Sequence, residues 1–345
     1  MINLDKFKEL LSVPSKTYKE ELMVNYLLGE LNGDGIKVDC DEHKNIYITK
    51  GILDDGEFYP MFVAHTDTVH EIIPKINVEL VEVVRPNTFG KSFGDQSVYA
   101  LKGYDDNGFP TGIGGDDKCG IFICLNLLEK LEKVKIGLFV SEETGCHGSA
   151  KCNEEFLKDV GYICQYDAPG DHLITEVCSG VRLFEKGGEF GSLAHRAIKD
   201  AFGCEMTLGS HPYTDVMQLK KKSDVSCINM SCGYYNMHTA NEFVCVSDVE
   251  RAIQAGLNMV NSLGLKKYEF KYEPITYNHN STLFNIEDED ENPFYDDVHQ
   301  LTSIDVIEDK DGIIILDFYD ENRFFIDDED GYKLYEILKN RYSLD

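Results

Sequence analysis

No stretch of this 345-residue chain approaches the ~18 consecutive apolar residues that a membrane-spanning helix requires, which excludes a helical span. The opening residues, Met1-Ile2-Asn3-Leu4-Asp5-Lys6, lack the charged-then-apolar plan of a signal peptide, and a cytoplasmic location is expected. Paired cysteines are missing as well. The 11 cysteines are odd in number, scattered, and contain no Cys-x-x-Cys. They read as reduced thiols, several of them small core residues such as Cys119, Cys124 and Cys164, rather than as a disulfide framework. Positive charge is scarce: 33 Lys and Arg stand against 62 Asp and Glu, a net charge of −29. That balance excludes a nucleic-acid surface and an anionic membrane as partners, and it is compatible with attraction for cations. No internal repeat is visible. Neither tail glycine, Gly312 or Gly331, takes the sixth place of an aspartate-led calcium loop.

What is present is a long alternation of helix and strand patterns. Helical spacing covers residues 4–12 and 19–32, with Ser15 or Thr17 placed to cap the second helix. Residues 36–49 read as a hairpin turning at His43-Lys44-Asn45. The apolar run 61–64 is too short for a helix and reads as a buried strand. Residues 70–112 read as an irregular hairpin region. A glycine-rich loop at 112–120 then opens a strongly apolar helix. Further apolar strands fall at 134–140, 162–165 and 225–230, with strand-like pieces at 172–177 and 181–186. Helices are expected from about 153, at 189–201, from Tyr213-Thr214-Asp215, and at 246–263. This order predicts an α/β fold: a mostly parallel mixed sheet sandwiched by helices. The character changes after about Lys267. An acidic run at 287–297, a meander at 303–326 and a helix at 329–341 predict a small acidic β-β-α appendage. The expected division is a catalytic domain at 1–266 and an appendage at 267–345.

Chemistry gathers where strands end, as it does in parallel sheets. The strand at 61–64 runs into His65-Thr66-Asp67. Two aspartates, Asp116-Asp117, follow the glycines at 112–115, where a phosphate would need neutral or positive groups; a cation is the better guest. The strand at 134–140 ends in Glu142-Glu143-Thr144-Gly145, adjacent carboxylates that are costly unless something positive sits beside them. Asp167 follows the strand at 162–165, and His238 lies in a loop after the strand at 225–230. Two histidines and three carboxylates form a ligand set suited to two divalent cations that share a bridging carboxylate. One glutamate of the 142–143 pair is left over, as a hydrolase needs for its base.

His65-Thr66-Asp67, Gly115-Asp116-Asp117-Lys118, Glu142-Glu143-Thr144-Gly145, Asp167 and Asn236-Met237-His238-Thr239-Ala240-Asn241-Glu242 together resemble the signature of the co-catalytic dizinc exopeptidase superfamily, which includes peptidase T. The similarity spans roughly residues 4–263. The resemblance implies that His65 and Asp167 hold one metal ion and that Glu143 and His238 hold the other, with Asp116 as the bridge. It implies Glu142 as the general base and Asp67 as the residue that orients His65. Asp117 is expected to cap the helix rather than to bind metal. The implied cofactors are two divalent ions, zinc first, with manganese and cobalt as alternatives.

The likeness stops at the lid. Relatives of peptidase T insert a lid domain between the ligands equivalent to Asp167 and His238, but only 70 residues separate them here. Other relatives place one between the first histidine and the bridging aspartate, where this chain has 50 residues. The arrangement resembles lidless, single-domain aminopeptidases. The expected activity is an aminopeptidase on short peptides. A deacylase or amidase on N-acylated amino acids uses the same metals, and a non-catalytic binding domain is the alternative of another class. Substrate contacts are sought at His211, Tyr213, Tyr234 and Tyr235, and His70 and His147 flank the site in sequence.

Overall fold

A computed structural model describes residues 2–31, 33, 35–85 and 96–272, together with the backbone of 304–309, 312–317 and 323–327. The chain divides into two compact units, Met1–Tyr272 and Glu273–Asp345. The first unit opens with α1 (Leu4–Ser12), α2 (Glu21–Glu30), β1 (Ile36–Cys40), β2 (Ile46–Lys50) and β3 (Tyr59–His65). It continues through β4 (Asn77–Arg85), β5 (Gln96–Tyr104), β6 (Pro110–Thr111), α3 (Gly115–Lys130), β7 (Val134–Phe139) and α4 (His147–Ala150). Then come β8 (Val160–Ala168), β9 (Leu173–Cys178), β10 (Val181–Arg182), α5 (Glu189–Phe202), β11 (Thr207–His211) and α6 (Asp215–Lys222). The unit closes with β12 (Cys227–Ser231), β13 (Tyr234–Tyr235), β14 (Phe243–Cys245) and α7 (Val246–Leu263).

The main sheet runs β1-β2-β7-β3-β8-β12-β9-β10, with β11 beside β9. Its centre, β7-β3-β8-β12, is parallel, and antiparallel strands flank it on both sides. Every residue of β3, β7 and β8 is buried, as strands covered on both faces must be, and this is why they read as largely apolar runs, with polar exceptions such as Lys135 in β7 and Gln165 in β8. α3 packs on β3, β7 and β8 and meets α7, while α6 packs on β3, β8 and β12 and meets α4. The chain moves one way from β3 through α3 to β7 and the other way from β8 through α6 to β12, so the right-handed crossover rule assigns the two helix pairs to opposite faces. The result is the mixed α/β sandwich that the pattern predicts. No helix of the described residues is long and apolar enough to cross a membrane.

Two local expectations change, and a third, the hairpin region at 70–112, takes a definite form. Neither Ser15 nor Thr17 caps α2, whose cap residue is Glu20 without a side-chain bond. Both are drawn instead to the end of β3: the Ser15 hydroxyl donates to the Thr66 carbonyl, and that of Thr17 to Asp67 Oδ2 at 2.9 Å. The helix expected from about 153 is a single 3-10 turn, Glu154–Leu157. The residues between His65 and Asp116 build a long antiparallel pair, β4 and β5, that belongs to a second sheet ordered β13-β14-β5-β4, with β6 on β5. No separate lid lies in that stretch among the described residues. The second sheet gives the His238 loop its base, because residues 236–242 join the paired strands β13 and β14.

A buried ion network fastens this second sheet. Arg85, at the end of β4, donates to Asp171 at 2.7 Å and to both oxygens of Asp248, at 3.0 and 2.9 Å, and Tyr235 donates to Asp248 at 2.7 Å. Asp248 lies in the first turn of α7 and is fully buried. Replacing Arg85 by methionine leaves that carboxylate under-compensated and is expected to cost about 3 kcal/mol. Urea unfolding of the two proteins would read the difference, and equal midpoints would contradict the assigned role.

The described residues of the second unit are three strands, β15 (Ile304–Asp309), β16 (Gly312–Asp317) and β17 (Arg323–Asp327), paired antiparallel in that order. These strands fall where the meander at 303–326 is expected. The acidic run 287–297 and the helix expected at 329–341 lie outside the described residues.

Candidate metal centre

The parallel strands deliver their carboxyl ends to one place. β3 pairs with β7 and β8, setting His65 beside Phe139 and Val63 beside Gln165. His65 is wholly buried, and its Nδ1 lies 3.0 Å from the backbone carbonyl of Asp67. A carbonyl only accepts, so the ring proton sits on Nδ1 and the lone pair of Nε2 faces the site. That nitrogen lies 3.0 Å from Asp116 Oδ1, 3.6 Å from Asp167 Oδ1 and 3.9 Å from Glu142 Oε2.

Asp116 enters from the start of α3. Asp116 and Asp117 depart from helical geometry, and the peptide between them is cis. The regular helix begins after Asp117, whose Oδ1 accepts the Gly120 amide at 2.9 Å and whose Oδ2 accepts the His65 amide at 3.2 Å. Asp117 therefore caps the helix and pins the end of β3. The two oxygens of Asp116 diverge: Oδ1 faces His65, and Oδ2 lies 3.3 Å from His238 Nε2. His238 also lies 3.1 Å from Glu143 Oε2. The geometry brings together all of the expected ligands, His65, Asp116, Glu143, Asp167 and His238, with Glu142 among them. Two overlapping groups, His65-Asp116-Glu143 and His65-Glu142-Asp167, each have ligand atoms within 4.8 Å of one another, and His238 joins them through Asp116 and Glu143.

Asp67 lies beside the His65 ring, with Oδ1 3.5 Å from Nδ1, and its carboxylate also reaches the neighbouring turn. Oδ1 accepts the Glu142 amide at 2.9 Å, and Oδ2 accepts the Glu143 amide at 3.2 Å and the Thr17 hydroxyl. The residue thus meets the His65 ring through both its carbonyl and its carboxylate, and its side chain holds the Glu142-Glu143 turn as well. Glu20 holds the preceding residue, accepting from both the amide and the hydroxyl of Ser141 at 3.1 Å.

Asp167 is the most heavily braced ligand. Thr214 donates to Oδ2 at 2.8 Å and Gln165 at 3.3 Å, and Tyr234 donates to Oδ1 at 3.3 Å. The Asn229 side chain closes two bonds with its backbone, each 2.8 Å. Sequence reasoning missed Thr17, Gln165, Thr214 and Asn229. A signal existed for Gln165 and Asn229, since each is a polar residue inside an otherwise apolar strand and must bond to something there. Among the candidate substrate contacts, Tyr234 is buried against Asp167 and Tyr235 belongs to the Asp248 network. Tyr213 is exposed, and the ring of His211 bonds its carbonyl.

Electrostatically the cluster calls for cations. Burial raises the pKa of Glu142 well above the carboxylate range, with His65 opposing and Asp167, Asp215 and Asp116 reinforcing the rise. Burial likewise raises Glu143 and Asp167. Burial opposes charge on His65, yet Glu142, Asp116, Asp167 and Asp67 outweigh it and hold its pKa well above normal. Hydrogen bonds to Asp116 and Glu143 raise His238 to about 10. Glu143 Oε1 is buried with no hydrogen-bond partner among the described residues. Crowded carboxylates, an orphaned buried oxygen and two imidazole Nε2 atoms turned towards them fit a pair of divalent ions.

A sheet of this topology, with its acidic and histidine residues at the carboxyl ends of the parallel strands, is the zinc-exopeptidase fold. No protein-family model and no curated protein sequence matches the chain. Solved structures do. An aminopeptidase PepT from Bacillus cereus is similar at a TM-score of 0.59 and 15% identity, over 75% of this chain and 97% of that one. A tripeptidase from Staphylococcus aureus gives 0.59 and 15%, over 75% and 98%. An aminopeptidase from the archaeon Desulfurococcus kamchatkensis gives 0.54 and 16%, over 75% and 95%. At such identities the likeness establishes the fold.

Proposed function

We propose that the chain is a metal-dependent exopeptidase and that its substrates are short peptides with a free N-terminus. The observation that carries this reading is Asp116, whose two oxygens face two histidines on separate loops. His65 and Asp167 would hold one ion, Glu143 and His238 the other, and Asp116 both. When bound, such ions lower the pKa of water and polarise a carbonyl. Glu142, braced at its amide by Asp67, takes the proton of the attacking water and later delivers it to the departing amine. Its Oε1 is engaged by the Cys146 thiol at 3.5 Å, which leaves Oε2 turned towards His65. No covalent intermediate is required. The first unit carries this chemistry, and the acidic second unit is an appendage to it. The reduced cysteines fit a cytoplasmic protein: none is in a disulfide.

The free amine is favoured over a blocked one by the arginines. A substrate carboxylate, as in an N-acyl amino acid, is usually read by a guanidinium fork. Among the described residues, Arg85 and Arg251 bind Asp248, Arg182 binds Glu176, and Arg196 is exposed on α5. The purified protein is expected to hold close to two equivalents of zinc, manganese or cobalt and to release N-terminal residues from di- to tetrapeptides. N-acetylated versions of the same peptides should be cleaved at least tenfold more slowly. Absence of any bound divalent ion after metal loading would remove the enzyme reading; faster cleavage of the acetylated set would shift it to a deacylase.

A further inference from the structure

Glu242 closes the motif that contains His238, yet the reaction above gives it no role. It is fully buried. Its Oε2 accepts the Gly114 amide at 2.7 Å and His70 Nε2 at 2.7 Å, and its Oε1 accepts the Asp116 amide at 3.1 Å. Three loops meet at this one carboxylate. The first leaves β3 at His65, its last residue, and carries His70. The second precedes α3 and carries Asp116. The third joins β13 to β14 and carries His238, with the Glu242 amide closing a turn onto the Thr239 carbonyl at 3.2 Å. Each loop supplies one metal-site residue, and Glu242 is bonded to the other two loops while sitting on the third.

The fit around His70 is close. Its side chain is only 18% exposed, and Gly112 lies beneath the ring, so that any Cβ at 112 would overlap it. Both Glu242 oxygens are filled by N–H donors, which makes the residue an acceptor hub rather than a metal ligand.

We infer that Glu242 and His70 form a positioning pair that fixes the separation of His65, Asp116 and His238, and so sets how tightly the second divalent ion is held. The inference rests on the metal-site reading above. Its chemistry is that of a carboxylate serving three donors at once. Glutamine has the same shape but offers one acceptor oxygen; its NH2 must then face an N–H, either of Asp116 or of Gly114 and His70. The Asp116 turn can no longer be held from both sides. Losing such a supporting contact weakens metal binding by about 10- to 100-fold.

The test is calorimetric titration of Zn2+ into the metal-stripped full-length protein. Wild type should bind two equivalents. Glu242→Gln should keep the first and weaken the second at least tenfold, while the stripped protein still unfolds cooperatively. His70→Ala should weaken the second equivalent in part, and His70→Gln, whose amide donates to the same oxygen, should restore it. Gly112→Ala, which pushes the ring aside without touching Glu242, should resemble His70→Ala. If Glu242→Gln does not fold, the His70 series and Gly112→Ala decide. Two affinities unchanged within threefold in the folded variants would overturn the positioning role while leaving the metal site intact. A wild-type protein that binds no Zn2+ would overturn the metal-site reading itself and this inference with it.

Discussion

Glu142→Gln is expected to lower turnover by about 10³-fold with little change in bound metal, because it removes the proton acceptor and leaves the cage standing. The side chain is buried among Asp67, Asp116, Asp167 and His65, with Oε2 at 3.9 Å from His65 Nε2. Glutamine has the same volume, so packing around it is preserved, but it has no basic oxygen. Burial, the largest influence on Glu142, raises its pKa well above the ordinary carboxylate value. Bound cations would draw it back down, which keeps the base ionised before each cycle. The control is Glu143→Gln. That residue faces His238 at 3.1 Å and has an orphaned oxygen, so its loss should empty metal from the site rather than spare it. Steady-state kinetics on one tripeptide, with metal content measured on the same samples, separates the two. If the Glu142 variant turned over within tenfold of wild type, Glu142 would not be the base.

The sequence made the ligand-bearing loops legible because their residues break strong local patterns. His65 interrupts an apolar strand, and Glu142-Glu143 puts two like charges at the end of another. The central strands were readable for the same reason: burial on both faces demands a largely apolar run. Of the second sheet only the hairpin, β4 and β5, was readable. β13 has two residues and β14 three, too short for an alternation to register, and the partner of β14 in β5 lies far away in sequence. The expected cap residues Ser15 and Thr17 mislead for a related reason. A hydroxyl next to a helix start looks like a cap, but the end of β3 outcompetes the helix for both. Asp67 shows the limit at the site itself. Its place in the triplet was plain, whereas the partners of its carboxylate, the amides of Glu142 and Glu143, are contacts between loops that only the fold creates.

Stripping metal should destabilise the protein, and the loss should grow as the pH rises. Glu142, Glu143 and Asp167 all have raised pKa values, chiefly through burial, so the folded metal-free state holds protons that the unfolded chain releases above about pH 4. His65 and His238 are raised as well, against the pull of burial in His65 and mainly by Asp116 and Glu143 in His238. Their contribution is complete below about pH 6.5 and is lost as pH climbs towards the folded-state values, about 10 for His238. The two histidines make the metal-free fold weaker from pH 6 to pH 8, and the three carboxylates act in the same direction as pH rises above about 4. Asp67 and Asp116 have lowered pKa values and act in the opposite sense, but only as pH falls below the ordinary carboxylate range. Divalent ions take the place of the missing protons, and they bind better as the ligands deprotonate. At a thousand times its Kd, each ion adds about 4 kcal/mol, or roughly 10 °C in Tm for a unit of this size. Thermal melts of chelator-treated protein with and without Zn2+ should therefore show a Tm gain that is larger at pH 8 than at pH 6. A gain that is equal at the two pH values, or larger at pH 6, would mean that cations do not replace protons in this cluster.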